Sequence, residues 1–316
     1  MDDSKPRAVV VIIGPTASGK SRLAMAVAER FGGTIINADS MQVYRELRVL
    51  TARPGPEDES AIPHRLYGVI PAAEACSAAR WRALALAEID DVLAGGRLPV
   101  VVGGTGLYVK ALLEGLAPVP EIPQAVRAQL RQQLQVEGSA ALHDVLAARD
   151  PETARRVRPS DPQRIVRALE VLEATGRPLV QWQSEAPEGS SPDLRFSVVA
   201  LTPPKDLVYA ACDRRFRAML ESGALEEVRE LVGLGLDPEL PAMKALGVSE
   251  LAAHLRGDLS LEAAEERVCR ATRRYAKRQL TWLRTQIVAN WSGFEQDSET
   301  LELEIFAFIR ENVLTP

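Results

Sequence analysis

The chain has 316 residues, of which 46% are hydrophobic and 26% charged, and its formal net charge is −5. This length allows one large domain or a core with a smaller domain, and the negative charge argues against a protein that coats nucleic acid nonspecifically, although a local basic patch suffices to bind RNA. The three cysteines, Cys76, Cys212 and Cys269, are far apart and show no CxxC spacing, so we expect neither a disulfide framework nor a zinc site.

No stretch of the sequence is suited to a membrane. Residues 1–7 are polar, and the apolar run that follows is only six residues long, which is too short for a signal-peptide core or a membrane span. No other apolar run reaches that length. We therefore expect a cytoplasmic protein.

The first third of the chain alternates predicted strands and helices. Residues 8–13 (AVVVII) are a continuous β-branched run ending at a glycine, which is typical of a strand buried on both faces of a parallel sheet. The alternation predicts an α/β fold with a doubly wound parallel sheet, whose functional loops follow the carboxyl ends of the strands. The further elements predicted here are a helix at 21–31, a strand at 34–37, a helix at 78–93 and a strand at 99–102.

The pattern becomes helical after residue 116. Prolines at 118, 120 and 123 interrupt the chain, and helices are predicted at 124–137, 139–148, 151–157 and 162–175. Residues 187–192 (PEGSSP) indicate a loop or linker, residues 195–201 (RFSVVAL) return to strand character, and the rest is mostly helical from residue 205. We therefore expect a helical insertion domain, residues 116–194, within a core formed by residues 1–115 and 195–316.

A glycine-rich motif lies between the first predicted strand and helix. The segment GPTASGKS matches GxxxxGK[ST] in the structural context that a phosphate-binding P-loop requires. Backbone N–H groups of such a loop can wrap a diphosphate, the helix N-terminus adds partial positive charge, Lys20 adds a cation, and Ser21 can hold Mg²⁺. The motif indicates a P-loop-type core and a phosphate ligand without specifying ATP. The predicted phosphate-binding residues are Gly14, Pro15, Thr16, Ala17, Ser18, Gly19, Lys20 and Ser21.

Two further segments carry candidate site residues. Asp39 follows the second strand, so a doubly wound sheet puts it beside the phosphate loop, although a capping or turn role is equally compatible with its position. In the segment TARP, Arg53 adds a cation that could clamp a phosphate or lie in a surface turn.

Several motifs in order resemble those of the tRNA dimethylallyltransferase (IPP transferase) family. They are GPTASGKS, NADSMQVYR (37–45), TARP (51–54), GGTGLY (103–108), DPQRIVRALE (161–170) and TRRYAKRQLTWLR (272–284), and the resemblance covers about residues 9–291. It implies that dimethylallyl diphosphate is the donor, that Mg²⁺ is the cofactor, and that the acceptor is the adenosine just 3′ of the anticodon in tRNA.

The resemblance also implies roles for residues. Asp39 matches the family's general base, Thr105 matches a threonine between tRNA and the reacting centre, and Ser40, Met41 and Gln42 match residues that meet the flipped base. A base is needed because the lone pair of adenine N6 is delocalised into the ring, so that a carboxylate must accept its proton. The adenosine must also leave its stack to be reached. Apart from the resemblance, the candidate diphosphate contacts, which would neutralise charge on the leaving group, are Arg53, Arg214 and Arg217. At least one of Arg214 and Arg217 also fits an ordinary surface position on an amphipathic helix.

Two basic segments are candidate RNA-binding surfaces. Residues 267–284 carry seven cations and no acid, a pattern that also fits a solvated helix face. The seven are Arg267, Arg270, Arg273, Arg274, Lys277, Arg278 and Arg284. In the insertion, QRIVR matches a tRNA-contacting segment of the family, and Arg127, on the first predicted helix of the insertion, falls where the family has another such position. The residues of the matching segment are Gln163, Arg164, Ile165, Val166 and Arg167.

The sequence departs from the family pattern at two positions and leaves three alternatives. Arg53 stands where a lysine is usual, and Val248 replaces an aromatic residue. One alternative is a small-molecule P-loop kinase, which would leave the basic helix and QRIVR unexplained. The second is an adenylate isopentenyltransferase acting on free AMP, ADP or ATP, and the third is a non-catalytic RNA-binding protein. We expect a monomer that binds the anticodon stem-loop of tRNA.

Overall fold

The computed structural model describes residues 7–187, 193–293 and 298–314. The chain divides into two compact units, the first formed by Met1–Leu113 with Ser191–Pro316 and the second by Glu114–Ser190. Of the linker predicted at 187–192, all but Pro187 lies outside the described residues.

A parallel sheet forms the centre of the first unit, and the predicted α/β class is confirmed. Within the described residues it has six strands in the order β3-β2-β4-β1-β5-β6, and every pair of neighbours is parallel. The strands are β1 (Arg7–Ile13), β2 (Gly33–Asn37), β3 (His64–Arg65), β4 (Leu98–Gly103), β5 (Leu194–Leu201) and β6 (Trp291–Gly293). The two edge strands were not predicted, because segments of two and three residues carry no apolar run.

Helices account for most of the remaining chain. In the described residues the α helices are α1 (Lys20–Phe31), α2 (Pro56–Ala61), α3 (Ala78–Ala94), α4 (Gly106–Glu114), α5 (Gln124–Arg149), α6 (Pro151–Arg156), α7 (Pro162–Thr175), α8 (Leu179–Gln183), α9 (Lys205–Glu221), α10 (Ala224–Gly233), α11 (Val248–Leu255), α12 (Leu261–Gln286) and α13 (Ser298–Ile309). A 3₁₀ helix spans Pro241–Lys244, and a π-helical turn spans Arg310–Leu314. No helix within the described ranges combines the length and apolar character needed to cross a bilayer.

Both faces of the sheet are covered. Val9 and Val11 belong to one buried cluster with α3 and α4, whereas Val10 and Ile12 belong to a second cluster with α1 and α13. All four side chains are fully buried, and burial of each contributes about 1.5–3 kcal/mol. The β-branched run is therefore apolar at every position because its side chains alternate between two dry layers.

The second unit is helical. Its core contains Leu130, Leu146, Ile165 and Leu169 from α5 and α7. Gly138 has φ 81° and ψ 169° and interrupts α5 at the point where two separate helices were predicted. The Asp161 side chain accepts a hydrogen bond from the Arg164 N–H and so caps α7.

Candidate active site

Three loops that carry predicted site residues leave neighbouring strands at the same edge of the sheet. The phosphate loop follows β1, the Asp39 loop follows β2, and the Thr105 loop follows β4, which lies between the other two strands. Since the strands are parallel, their carboxyl ends meet at one edge, where α/β proteins bind their ligands.

The phosphate loop forms a backbone cradle at the N-terminus of α1. Gly19 lies in the left-handed region at φ 85°, and no side chain caps the helix, so its first N–H groups can bind an anion. Gly14 makes room for the turn, since a Cβ there would lie 2.7 Å from Ser18 Oγ. That buried hydroxyl has no hydrogen-bond partner among the described residues, which is consistent with a polar ligand in the cradle.

Two partly buried cations face this loop. Desolvation lowers the pKa of Lys20 to about 8, and the nearby Asp39 carboxylate opposes the shift. The Arg215 guanidinium donates a hydrogen bond to Thr16 Oγ1, and burial lowers its pKa as well. Desolvated cations are costly without counter-charge, so a multiply charged anion such as diphosphate would complement the pair.

Asp39 is held by a buried asparagine. Asn37 Oδ1 accepts a hydrogen bond from the Asp39 N–H at 2.8 Å, and Asn37 Nδ2 donates to the Asp39 carbonyl at 3.0 Å. The Asp39 Oδ1 atom accepts the N–H groups of Met41 at 2.9 Å and Gln42 at 3.4 Å. Its Oδ2 atom has no hydrogen bond within the part of the chain described. One carboxylate oxygen therefore fixes the orientation, and the other remains available to take a proton.

Thr105 connects the loop after β4 to the loop after β2. Its Oγ1 atom accepts the Ser40 N–H at 2.9 Å and donates to Ser40 Oγ at 3.2 Å. Tyr275 of α12 lies beside this pair, where burial and the Asp39 carboxylate raise the pKa of its phenol. Asp39, Ser40, Thr105 and Tyr275 thus form one polar cluster.

A glutamine that the sequence analysis did not single out joins two of the loops. Gln279 Oε1 accepts the Thr16 N–H at 2.8 Å, and Gln279 Nε2 donates to the Gly104 carbonyl at 2.8 Å. A Cβ on Gly104 would lie 2.4 Å from Gln279 Nε2, and one on Gly106 would lie 2.1 Å from the Trp282 ring. These two glycines therefore allow α12 to pack closely against the loop after β4.

A cavity of about 280 Å³ lies among these elements. Its polar lining includes Thr16, Asp39, Ser40, Thr51, Arg215, Lys244, Thr272, Tyr275 and Arg278. Its apolar lining includes Met41, Leu50, Phe216, Met219, Leu246 and Val268. One space therefore combines cations from the phosphate side, a carboxylate and an apolar wall.

The three arginines predicted as diphosphate contacts do not line this cavity. Arg53 donates to the Tyr44 and Arg45 carbonyls at 3.3 Å. Arg214 is exposed on α9, and Arg217 forms an ion pair with Glu265 at 2.7 Å. The guanidinium that reaches the phosphate loop is that of Arg215. Helical periodicity could have identified it, because Arg215 lies on the same face of α9 as the buried Cys212 and Met219.

Gln42 and Val248 have structural roles in the first unit. Gln42 Nε2 donates to the carbonyls of Thr51 at 2.8 Å and Ala52 at 2.9 Å, so its amide organises the following loop. Val248 is buried at the start of α11, so the position that departs from the family pattern belongs to the core.

The oxygen atoms near the phosphate loop fit a divalent metal ion that arrives with a diphosphate. No group of three or more His, Cys, Asp or Glu side chains in the described residues could hold a metal by itself. The orphaned Ser18 hydroxyl and the Ser21 hydroxyl in the first turn of α1 are hard donors. Such donors suit an ion that also takes phosphate oxygens and water as ligands.

The predicted RNA-contacting residues of the second unit divide into exposed and buried ones. Ile165 and Val166 lie in its core, so their side chains are not available to RNA. An amphipathic helix buries one face and exposes the other. Gln163 and Arg164 are exposed, and Arg167 lies 3.5 Å from Glu170. Arg127 is half-buried, and its Nε atom has no hydrogen-bond partner within the described chain.

The basic residues of α12 also divide into two groups. Arg270 pairs with Glu266, Arg273 pairs with Asp213 at 3.3 Å, and Arg278 lies over the Tyr275 ring at the cavity. Four others are exposed and form no ion pair within the described residues, namely Arg267, Arg274, Lys277 and Arg284.

Comparison with known proteins gives consistent matches along the chain. The family profile described as IPP transferase matches residues 42–286, and that described as isopentenyl transferase matches residues 7–74. The tRNA dimethylallyltransferase of Rhodospirillum centenum is 60% identical over 90% of each chain. The tRNA dimethylallyltransferase of Parvibaculum lavamentivorans is 55% identical over 97% of each chain.

Solved structures share the fold. The tRNA isopentenylpyrophosphate transferase of Bacillus halodurans matches with a TM-score of 0.70 and 34% identity, over 97% of this chain and 96% of that one. A eukaryotic dimethylallyltransferase acting on tRNA matches with a TM-score of 0.79 and 26% identity, over 97% of this chain and 79% of that one.

Proposed function

The chain belongs to the IPP transferase family, and we propose on that premise that it transfers the dimethylallyl group of dimethylallyl diphosphate to N6 of the adenosine 3′-adjacent to the anticodon in tRNA. The observation that carries this proposal is the joint presence, around one cavity, of the Asp39 carboxylate and of Arg215 bonded to the phosphate loop. A prenyl transfer that releases diphosphate needs a base and an anion site close together.

The donor diphosphate would lie in the phosphate loop. Its negative charge would be met by the backbone N–H groups, by Lys20 and by Arg215, which faces the same loop. As the bond between the allylic carbon and the diphosphate oxygen breaks, charge grows on the leaving group, and these preorganised groups stabilise that charge. The prenyl chain would occupy the apolar part of the cavity.

The acceptor amine would approach Asp39. A bond forms between adenine N6 and the allylic carbon, and the N6 proton passes to the free Oδ2 atom of Asp39. Its Oδ1 atom stays bonded to the Met41 N–H, so the carboxylate does not need to reorient. Ser40 and Thr105 would hold the extruded base beside it.

We propose Mg²⁺ as the divalent ion, with Ser21 among its ligands. When bound, the ion supplies neutralisation of the departing diphosphate. The hard oxygen donors around the loop support this choice.

We propose that tRNA is bound through two surfaces, one in each unit. The four exposed cations of α12 without ion pairs are suited to phosphates, and in the insertion domain, residues 116–194, the exposed residues Gln163 and Arg164 would contact the stem-loop together with Arg127 and Arg167. We propose that the protein acts as a monomer. We propose that the reaction takes place in the cytoplasm, where the tRNA acceptor is available.

The test is incubation of the protein with labelled dimethylallyl diphosphate and either bulk tRNA or AMP. We expect label in tRNA alone, mapped to the adenosine next to the anticodon. Label in AMP alone would favour an adenylate isopentenyltransferase, and ATP turnover without prenyl transfer would favour a kinase.

A further inference from the structure

One wall of the cavity is a loop with an unfavourable backbone conformation. Leu50 and Thr51 line the cavity, and the next residue, Ala52, has φ 54° in the left-handed region. Residues with a Cβ avoid this region because the Cβ approaches the backbone. The loop therefore needs contacts with the rest of the protein to keep this shape.

The strongest of these contacts comes from Glu227 on α10. Its Oε2 atom accepts the N–H groups of Arg48 and Val49, both at 2.7 Å, and its Oε1 atom accepts the Leu50 N–H at 2.9 Å. Three successive backbone N–H groups that converge on one carboxylate form an anion-binding concavity. Here the anion belongs to the same chain, and Glu227 itself is not among the residues that line the cavity.

The helix that carries Glu227 is firmly anchored. Ala224, Val228 and Leu231 of α10 are all buried in the main core of the first unit. From the other side, Gln42 donates to the Thr51 and Ala52 carbonyls. The loop is thus fixed between the core and the segment that follows Asp39.

We propose that Glu227 is a positioning residue that sets the position of Leu50 and thereby limits the length of prenyl chain that the cavity accepts. The inference rests on the proposed function, because it assigns the apolar part of the cavity to the donor chain. Leu50 shares that part with Phe216, Met219 and Leu246. A wall that is held rigidly excludes a longer chain, whereas a wall that can shift admits it.

Glu227→Gln tests the positioning role of Glu227 with little change in the shape of the side chain. A glutamine has one carbonyl oxygen, so its NH₂ group must face at least one of the N–H groups that the carboxylate now accepts. The matched control is Glu226→Gln, since the neighbouring Glu226 pairs, among the described residues, only with Arg229 at the surface, where the Glu226 side chain is 62% exposed. Leu50→Ala changes the wall directly and leaves the Glu227 contacts in place.

The measurement is kcat and KM for dimethylallyl diphosphate and for geranyl diphosphate, which is five carbons longer, with a saturating anticodon stem-loop. We expect the preference for dimethylallyl over geranyl diphosphate to fall by about tenfold or more in Glu227→Gln and Leu50→Ala, the scale on which pockets discriminate methylene groups. The KM for dimethylallyl diphosphate should rise more than kcat falls. Glu226→Gln should match the wild type.

An unchanged donor preference in either Glu227→Gln or Leu50→Ala overturns this inference alone, provided that the wild type transfers the dimethylallyl group. Should Glu227→Gln not fold, an unchanged preference in Leu50→Ala overturns it as well. A wild type that transfers no prenyl group to tRNA would overturn the proposed function and this inference together.

Discussion

Thr16 and Gln279 are 263 positions apart in the sequence, yet the Thr16 N–H donates to Gln279 Oε1 at 2.8 Å. The same amide donates to the Gly104 carbonyl, and the adjacent Thr105 accepts the Ser40 N–H. A continuous set of hydrogen bonds therefore connects the phosphate loop to the loop of Asp39. This connection fixes the position of the phosphate loop relative to the Asp39 carboxylate.

Gln279→Glu should separate the two halves of this connection. The variant can still accept the Thr16 N–H, but it places a carboxylate oxygen against the Gly104 carbonyl. We expect kcat to fall by about a hundredfold, because a displacement of about an ångström is enough for such a loss. The check is single-turnover kinetics with Gln286→Ala, an exposed residue of the same helix, as control. A normal rate in Gln279→Glu would contradict the positioning role.

Arg215 and Arg214 form a matched pair for testing the diphosphate site. Arg215→Ala should raise the KM for dimethylallyl diphosphate and lower kcat, because this guanidinium reaches the phosphate loop and would meet charge that grows in the transition state. Arg214→Ala should change neither value, since Arg214 is exposed on the outer face of α9. Equal effects of the two substitutions would show that the contribution is a general field of positive charge.

The pH dependence of donor capture should report Lys20. Its pKa is lowered to about 8, so in the free protein its positive charge is present below that pH and is lost as the pH rises through it. We expect kcat/KM for dimethylallyl diphosphate to fall on the alkaline side of about 8, since this ratio follows ionisations of the free enzyme. Bound diphosphate favours the charged ammonium, so kcat should fall only at higher pH. Lys20→Ala should lack this alkaline decline, and persistence of the decline in the variant would assign it to another group.

Asp39→Asn should lower turnover by about a hundred- to ten-thousand-fold, the usual range for loss of a general base. An asparagine can still accept the Met41 N–H through its carbonyl oxygen, so the loop should keep its shape. Affinity for tRNA should remain close to that of the wild type in a filter-binding titration. Turnover near the wild-type level would exclude Asp39 as the base.

Cations of α12 should differ according to their ion pairs. Replacing Arg274 or Lys277, which are exposed without an ion pair in the described structure, should weaken tRNA binding for all sequences and reduce the salt slope by about one unit or less. Arg270 is already paired with Glu266, so Arg270→Ala should have a smaller effect. Titrations at two salt concentrations provide the check, and identical slopes in all variants would remove α12 from the RNA interface.

Features that depend on neighbouring residues could be predicted from the sequence, whereas features that depend on distant partners could not. The β-branched run of β1 and the glycine motif after it are local, and both the strand and the loop lie where they were expected. Ile165 and Val166 were carried over with a whole segment, although the two faces of a helix have different surroundings. Gln279 lies within the motif at 272–284, but its role depends on a partner 263 positions away and could not be inferred from the motif. Glu227 could not be identified, because one of its partners is 179 positions away and no local pattern marks it.

The glycines after β4 have a consequence for exchanging parts between related proteins. Gly104 and Gly106 leave room for Gln279 and Trp282, and a Cβ at either glycine would overlap those side chains. Residues 103–106 and α12 therefore constitute one module that is split in the sequence. A chimera that takes α12 from a relative should retain activity only if the glycine segment comes from the same parent or already fits that helix.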